Sequence, residues 1–555
     1  MVLRHISSMS APHTYTSASS NGNEQPTRLA TKPKGHFSDT GPNAPINLLK
    51  GWPNPSLLPA KELLEAANQV LTDASIYVTG LEYGPDEGHE PLRVALGTWL
   101  GDFYEPAVQK WRRSLSTVSH LAPDARAAGR ADDTVDYSIS SDRIAVTGGA
   151  SQSLGCILSA VTDPLVTRRV WIVAPAYFLA FKIFEDAGFA GKMRAVPELE
   201  AIASSDGRAG PDTAWLEQHI KQVDARYDSK DKESARLKPT PSTKYPKVYK
   251  HVIYCVPNFA NPSSVTTDVQ TRQELVRIAR EYDALVVCDD VYDMLQWPAD
   301  PSASRDHLSK AQVPRIVDVE RYFDGGLDGA KADGFGNVIS NGSFSKICAP
   351  GVRVGWVEAS PKLAFAVSQA GTTKSGGAPG QLTSTYITKL VTSGVLTKRI
   401  NEVLQPTYAR RYQNMITAIH DHLEALGFTL PQPGRDAIGG YFLWLRLPEG
   451  LRSRGVTFVR RAEAEDKVIV SSGKSCEVPE DELRGRTGVD DDEIQLSIAR
   501  TKFSGYVRLC FSWEEEDRLA EGVRRLARTA SRMLEEGQKA GDDDADEVLD
   551  MKDKC

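Results

Sequence analysis

The sequence predicts an α/β fold in which a large domain on a mostly parallel sheet carries a smaller α+β domain. Three observations lead there. Short apolar, β-branched runs recur between helical patterns through the first two thirds of the chain. The runs are bounded by turn residues, as strands are. From about residue 395 the pattern changes to long amphipathic helices.

The strands are expected at Arg143–Thr147, Val170–Val173, His251–Val256, Ala284–Cys288, Val338–Ser340 and Val354–Val357. Near-continuous apolar runs of this kind are buried on both faces, which is the signature of a parallel sheet covered by helices. A helix over Ser153–Val161 follows the first. Beyond 395, helices are expected over Leu404–Leu426 and Glu514–Glu536, with a strand around Gly439–Leu445 between them. The expected division is a disordered arm over 1–44, a segment over 45–95 that joins the small domain, a large domain over 96–390, a small domain over 391–536 and an acidic disordered tail over 537–555. Polar stretches near 114–136, 205–247 and 476–503 read as surface insertions.

The 555 residues are 41% hydrophobic and 25% charged, ordinary for a globular protein with ample chain for a core. A net charge of -7 with both signs interspersed gives no footprint for nucleic acid or an anionic membrane. No apolar run approaches the ~20 residues of a membrane span. Seven scattered cysteines suit reduced thiols in the cytoplasm better than a disulfide framework or a metal site. The first 40 residues are rich in Ser, Thr, Asn and Pro; Arg4, Arg28, Lys32 and Lys34 leave a mitochondrial transit peptide open as an alternative, and Met9 is an alternative start.

The chemistry-bearing residues follow the strands in order. Thr147-Gly-Gly-Ala150-Ser151-Gln152 ends a strand and opens a helix, where free N–H groups bind an anion. Pro175-Ala-Tyr177 places a ring able to stack on a planar ligand. Asn261, before Pro262, is held extended with its amide available to a ligand oxygen. Asp289, at a buried strand end, is costly unless it meets a cation. Tyr292 lies three residues on. Ser343-Phe-Ser345-Lys346, with Arg353 seven residues later, sets an amine among two hydroxyls and a guanidinium. An amine can form a Schiff base with an aldehyde while the hydroxyls and arginine hold a phosphate. Arg508, alone in the apolar run Val507–Phe511, suits a carboxylate taken bidentately. Singly, each motif is as readily a turn, a cap or a core side chain. Together they supply what pyridoxal 5'-phosphate needs: a covalent anchor, a phosphate cup and a counter-charge for its ring nitrogen.

In this order the motifs resemble the fold-type I, pyridoxal-phosphate-dependent aminotransferases of class I/II, over about residues 45–535 excluding the insertions. Gly51-Trp-Pro-Asn-Pro-Ser-Leu-Leu-Pro59, Tyr83-Gly-Pro-Asp-Glu-Gly88 with Pro91-Leu-Arg93, Pro175-Ala-Tyr177 and Ala349-Pro-Gly351 carry a closer resemblance to the 2-aminoadipate/kynurenine/aromatic branch. The resemblance implies that Lys346 is the Schiff-base lysine and proton shuttle, and that Asp289 partners the pyridine nitrogen. It implies that Asn261 and Tyr292 donate to the ring oxygen and that Tyr177 stacks on the ring. Ala150, Ser151, Gln152, Ser343, Ser345 and Arg353 would form the phosphate and cofactor cup. Arg508 would clamp the substrate α-carboxylate, helped by Asn261, with the backbone at Gly51 closing over it. Tyr83 would reach the phosphate of a neighbouring subunit, implying a homodimer with shared sites. The expected reaction moves an amino group from an amino acid, 2-aminoadipate and aromatic ones among them, to a 2-oxo acid such as 2-oxoglutarate. A lyase or racemase on the same fold is the alternative. A cofactor-sensing regulator would need a basic helix-turn-helix domain ahead of the core, for which the leader is short and polar. One departure stands out: Ser263-Ser264 replaces the family's usual Thr-Gly after Asn-Pro.

Overall fold

The computed structural model describes residues 41, 43–117, 137–199, 207–228, 236–238, 247–328, 333–430, 436–479 and 499–537. Nearly all of the expected N-terminal arm and acidic tail, most of the expected insertions near 114–136 and 476–503, and part of the one near 205–247 lie outside them. The chain separates into two units, Met1–Ala44 and Pro45–Cys555, and the second carries the elements that position the site.

Its centre is an eight-stranded sheet. The strands are β1 (Ile144–Thr147), β2 (Arg169–Ala174), β3 (Met193–Leu199), β4 (Gly210–Pro211), β5 (His251–Cys255), β6 (Ala284–Asp289), β7 (Val338–Ser343) and β8 (Gly355–Glu358). They lie in the order β1-β8-β7-β6-β5-β2-β3-β4. The run β7-β6-β5-β2-β3 is parallel, and β8 is antiparallel to both its neighbours. Every residue of β1, β2, β5, β7 and β8 is buried, as expected of strands covered by helices on both faces. The antiparallel β8 starts at the edge where its neighbours end, with Gly355 opposite both Ser343 and Thr147. The residues just before it are thereby delivered to that edge.

All six strands expected from sequence are present, with small shifts at their ends. Met193–Leu199 is a further strand that the sequence pattern does not single out. Gly210–Asp228, part of a stretch read as an insertion, also belongs to the fold. Gly210–Pro211 pairs with β3, and the helix Thr213–Asp228 buries Leu216, Ile220 and Val223. That apolar stripe at i, i+4, i+7 is masked in sequence by the polar residues between its members.

A second, three-stranded antiparallel sheet is made of β9 (Phe442–Arg446), β10 (Ser471–Ser472) and β11 (Tyr506–Cys510), in the order β9-β11-β10. The expected strand around 439–445 is split: Ala437–Gly439 pairs instead with Gln296–Pro298. The helices are Gln405–His422 and Glu516–Gly537. The second buries Leu519, Val523, Leu526, Ala530 and Met533, a spacing of alternating four and three that faces one side of a helix. No helix among the described residues is long and apolar enough to cross a membrane.

A buried ionic cluster ties the sheet to its covering helices. Arg315, 1% exposed, pairs with Asp318 at 2.9 Å and Glu358 at 2.7 Å, and its guanidinium lies 4.0 Å from the Tyr104 ring centroid. Tyr104 donates to Asp293 at 2.7 Å. Removing one partner of such a cluster leaves uncompensated buried charge. Arg315→Met is therefore expected to lower stability by about 3–5 kcal/mol. Chemical denaturation measures this, and a loss under about 1 kcal/mol would show the cluster is not holding the helix.

Candidate functional site

Five strand ends and the start of β8 converge at one edge of the main sheet, the edge where such sheets bind ligands. The cavity there has a volume of about 200 Å³. Of the residues singled out from sequence, Gly51, Ala150, Ser151, Tyr177, Asn261, Asp289, Tyr292, Ser343, Ser345, Lys346, Arg353 and Arg508 line it. Two do not. Gln152 folds back onto the strand–helix turn, its Oε1 accepting from Gly148 N at 2.8 Å. Tyr83 stands outside, 91% exposed.

The anion end is built from backbone. Gly149 holds φ 97° at the start of the helix Ala150–Val161, which has no side-chain cap, so its first N–H groups face outward. A side chain at Gly149 would strike the Arg353 guanidinium at 2.9 Å. Arg353 itself takes a left-handed conformation just before β8 and donates to Gly148 O at 2.6 Å and Pro350 O at 3.0 Å. The Ser343 hydroxyl donates to Ser345 Oγ at 2.9 Å on the facing turn. A helix N-terminus, a guanidinium and two hydroxyls make a cradle for a phosphate.

Asp289 ends β6, the fourth strand across the sheet. Its Oδ2 accepts from the Tyr254 hydroxyl at 2.8 Å, and its buried Oδ1 has no partner. Burial pushes its carboxyl up to about 6, against the pull of the Tyr254 bond and the Lys346 charge. Lys346 is half-buried, and burial pushes its amine down to about 8. Its Nζ donates to Gly51 O at 2.5 Å and lies 5.3 Å and 6.0 Å from the ring centroids of Tyr441 and Tyr292. Tyr441 in turn donates to Lys346 O at 3.0 Å.

Arg508, 3% exposed, donates to Asn261 Oδ1 at 2.9 Å and Leu49 O at 2.9 Å, with its guanidinium 4.3 Å from the Phe442 ring centroid. The Asn261 loop is braced from behind by Arg272, which donates to Asn258 Oδ1 at 2.6 Å and Pro257 O at 3.1 Å. Ser264, the second of the two serines after Asn-Pro, holds φ 62°, a conformation glycine enters freely. Its hydroxyl donates to Phe442 O at 2.7 Å, an anchor that glycine lacks. Sequence reasoning missed Tyr254, Tyr441, Phe178 and Phe442. The one available signal was a tyrosine in an apolar strand, whose hydroxyl needs a buried partner.

Comparison with known proteins agrees with this geometry. The profile of the family "Aminotransferase class I and II" matches residues 135–500. An uncharacterized protein of Saccharomyces cerevisiae is 31% identical, over 79% of this chain and 89% of its own length. An aromatic-amino-acid aminotransferase of Thermococcus litoralis is 24% identical over 87% of each chain. Among solved structures, an α-aminoadipate aminotransferase of Thermus thermophilus, complexed with N-(5'-phosphopyridoxyl)-L-leucine, superposes with a TM-score of 0.60 at 23% identity, covering 88% of this chain and 93% of that one. The chain belongs to the class I and II aminotransferases, on the fold-type I architecture. It is an enzyme of pyridoxal-phosphate-dependent transamination, acting on amino and 2-oxo acids.

The cavity fits that cofactor on its own evidence. The unsatisfied Oδ1 of Asp289 is an acceptor waiting for a cationic N–H, and the cradle opposite suits a phosphate. The ionised form of Asp289 is the one that pairs with a pyridinium, so cofactor affinity is expected to weaken as pH falls through about 6. Tyr254→Phe removes a bond that favours ionisation, so the weakening should begin at higher pH. Equilibrium dialysis of pyridoxal phosphate against apoenzyme reads the midpoint; an unchanged midpoint in the variant would show that Tyr254 does not control the carboxyl. In the cofactor-free protein the sign is opposite. A carboxyl raised from 3.8 to about 6 binds its proton more tightly folded than unfolded, so its contribution to stability falls as pH rises across that window.

Proposed function

We propose that this aminotransferase has a broad donor range that includes aromatic amino acids and 2-aminoadipate, with 2-oxoglutarate as an acceptor. The observation that carries the reading is a cavity in which one lysine, one unsatisfied carboxylate and one buried arginine face a wall of aromatic rings: Trp52, Tyr177, Phe178 and Phe442. An aromatic side chain packs on such a wall without burying a polar group. The names of the Thermococcus and Thermus relatives support both halves of the range.

When bound, pyridoxal phosphate supplies an aldehyde for amine exchange and a ring that accepts electrons from the substrate α-carbon. The protein's residues hold and orient the reactants. Arg353, Ser343, Ser345 and the helix start at Ala150 and Ser151 would hold its phosphate. Asp289 Oδ1 would accept from the ring nitrogen, Asn261 and Tyr292 would donate to the ring oxygen, and Tyr177 would cover a face. Arg508 orients the substrate by its α-carboxylate. Lys346 Nζ, lowered to about 8, is in part a free amine near neutral pH and carries the proton to and from the α-carbon. Gly51 packs its backbone closely against the aromatic wall, since a side chain there would strike Phe442 Cζ at 2.6 Å.

The reading extends to a homodimer. Leu64, Leu71 and Leu81 are 61%, 47% and 63% exposed, on the helices Ala60–Leu71 and Ala74–Leu81 that lead to the exposed Tyr83. Apolar side chains gathered in this way mark an interaction surface. A reducing compartment such as the cytoplasm suits the six described cysteines, all buried and none in a disulfide among the described residues.

Single-donor half-reactions followed by the cofactor's visible spectrum test the donor range. Phenylalanine, tryptophan, kynurenine and 2-aminoadipate are expected to react; if only alanine or aspartate does, the range is wrong. Arg508→Ala should cost about 2–5 kcal/mol in kcat/KM for amino acids while the cofactor stays bound. A wild-type enzyme that handles the matching simple amine equally well would remove the clamp. Mixed Tyr83→Phe and Lys346→Ala chains should recover activity through heterodimers with one intact site. No recovery despite subunit exchange would exclude shared sites.

A further inference from the structure

Besides Lys346 and Arg353, the cavity lining holds one cation, Arg508, and it is placed for an α-carboxylate. A dicarboxylate needs another. A candidate lies one residue from Gly51. The Lys50 ammonium sits 5.0 Å from the Trp52 ring centroid and 5.0 Å from that of Trp513, the two rings meeting edge to face at 5.5 Å. Trp52 lines the cavity, and Lys50 is half-buried.

Two features separate this lysine from an ordinary surface charge. First, its position is built. Trp52 O accepts from Ser512 Oγ at 2.7 Å, Asn54 Nδ2 donates to Trp513 O at 2.7 Å, and Lys50 N donates to Asn47 Oδ1 at 3.0 Å. The segment that carries Lys50 and Trp52 is thus stitched to the turn after the Arg508 strand. Second, the ammonium has no carboxylate partner among the described residues. Glu514, which follows Trp513, is engaged by Asn47 N at 2.7 Å and by Arg518 at 3.2 Å. A cation held only by two π-faces is stabilised less than one bonded to a carboxylate, so it gains by meeting an anion.

We propose that Lys50 is a specificity-determining residue that takes the distal carboxylate of dicarboxylic substrates, the acceptor 2-oxo acid first among them. This deepens the proposed function and rests on Arg508 and Gly51 marking the substrate's place. The lysine's flexible four-carbon stem lets the ammonium leave the rings when a carboxylate arrives and return when the substrate is apolar. The same two tryptophans then serve aromatic donors. One site accepts both classes without a second fixed arginine, which would reject aromatics by leaving its charge buried and unpaired.

The test compares 2-oxoglutarate with 2-oxohexanoate, which carries an ethyl group in place of the second carboxylate, in the holoenzyme. Lys50→Met keeps the stem and removes the charge. It should lower kcat/KM for 2-oxoglutarate about tenfold, mainly through KM, as expected for one charge-assisted contact. The value for 2-oxohexanoate should stay within about twofold. Lys50→Arg should retain most of the preference. Equal losses for the two acids, or no loss for either, would overturn the proposal. Tryptophan fluorescence gives a readout without turnover: 2-oxoglutarate should perturb it in wild type, and far less in Lys50→Met. If wild type transfers an amino group to neither acid, the functional reading fails, and the fluorescence comparison alone then decides whether Lys50 binds the second carboxylate.

Discussion

The site is organised by a carboxylate with one oxygen left over. Asp289 ends a central strand, is half-buried at the cavity and receives one hydrogen bond, from Tyr254. Its second oxygen is buried without a protein partner. That unsatisfied acceptor is what a cationic ring nitrogen completes. The neighbouring parts face the same cavity: the lysine amine whose charge it favours, the phosphate cradle at a nearby helix start, and the aromatic wall.

The sheet topology explains why these parts meet. Five strands end at one edge, and the antiparallel β8 begins there. Arg353, which precedes β8, is thereby brought beside Gly149, although about two hundred residues separate them in sequence. Neither residue tolerates replacement easily, because the guanidinium occupies the space a side chain at Gly149 would need.

The N-terminal segment completes the cavity from the other side. Gly51 O receives the Lys346 amine, Leu49 O receives Arg508, and Asn54 and Trp52 are bonded to the turn at 512–514. Substrate-facing backbone is thus held by the same small sheet that carries Arg508. Behind the main sheet, the cluster of Arg315, Asp318 and Glu358 anchors the covering helix, and Tyr104 links it to Asp293, four residues beyond Asp289.

By itself the sequence determined the α/β class and six strands of the main sheet, and the residues it singled out within the chain's own cavity line it except Gln152; Tyr83, expected to reach a neighbouring subunit's site, stands exposed. It could do so because strand ends carry their chemistry locally: a glycine pair before a helix, an aspartate closing an apolar run, a lysine between hydroxyls. The tertiary structure alone decided what depends on distant contacts. Tyr254 became the partner of Asp289 through strand pairing, and Phe442 reached Arg508 through a sheet formed by residues far apart. Gln152 turned away from the cavity because its amide satisfies Gly148. Ser264 could replace a glycine because Phe442 O lies within reach of its hydroxyl. Lys50 is the sharpest case: in sequence it is one lysine beside a glycine, and only the approach of Trp513 makes it a cation held between two rings, one of which, Trp52, lines the site.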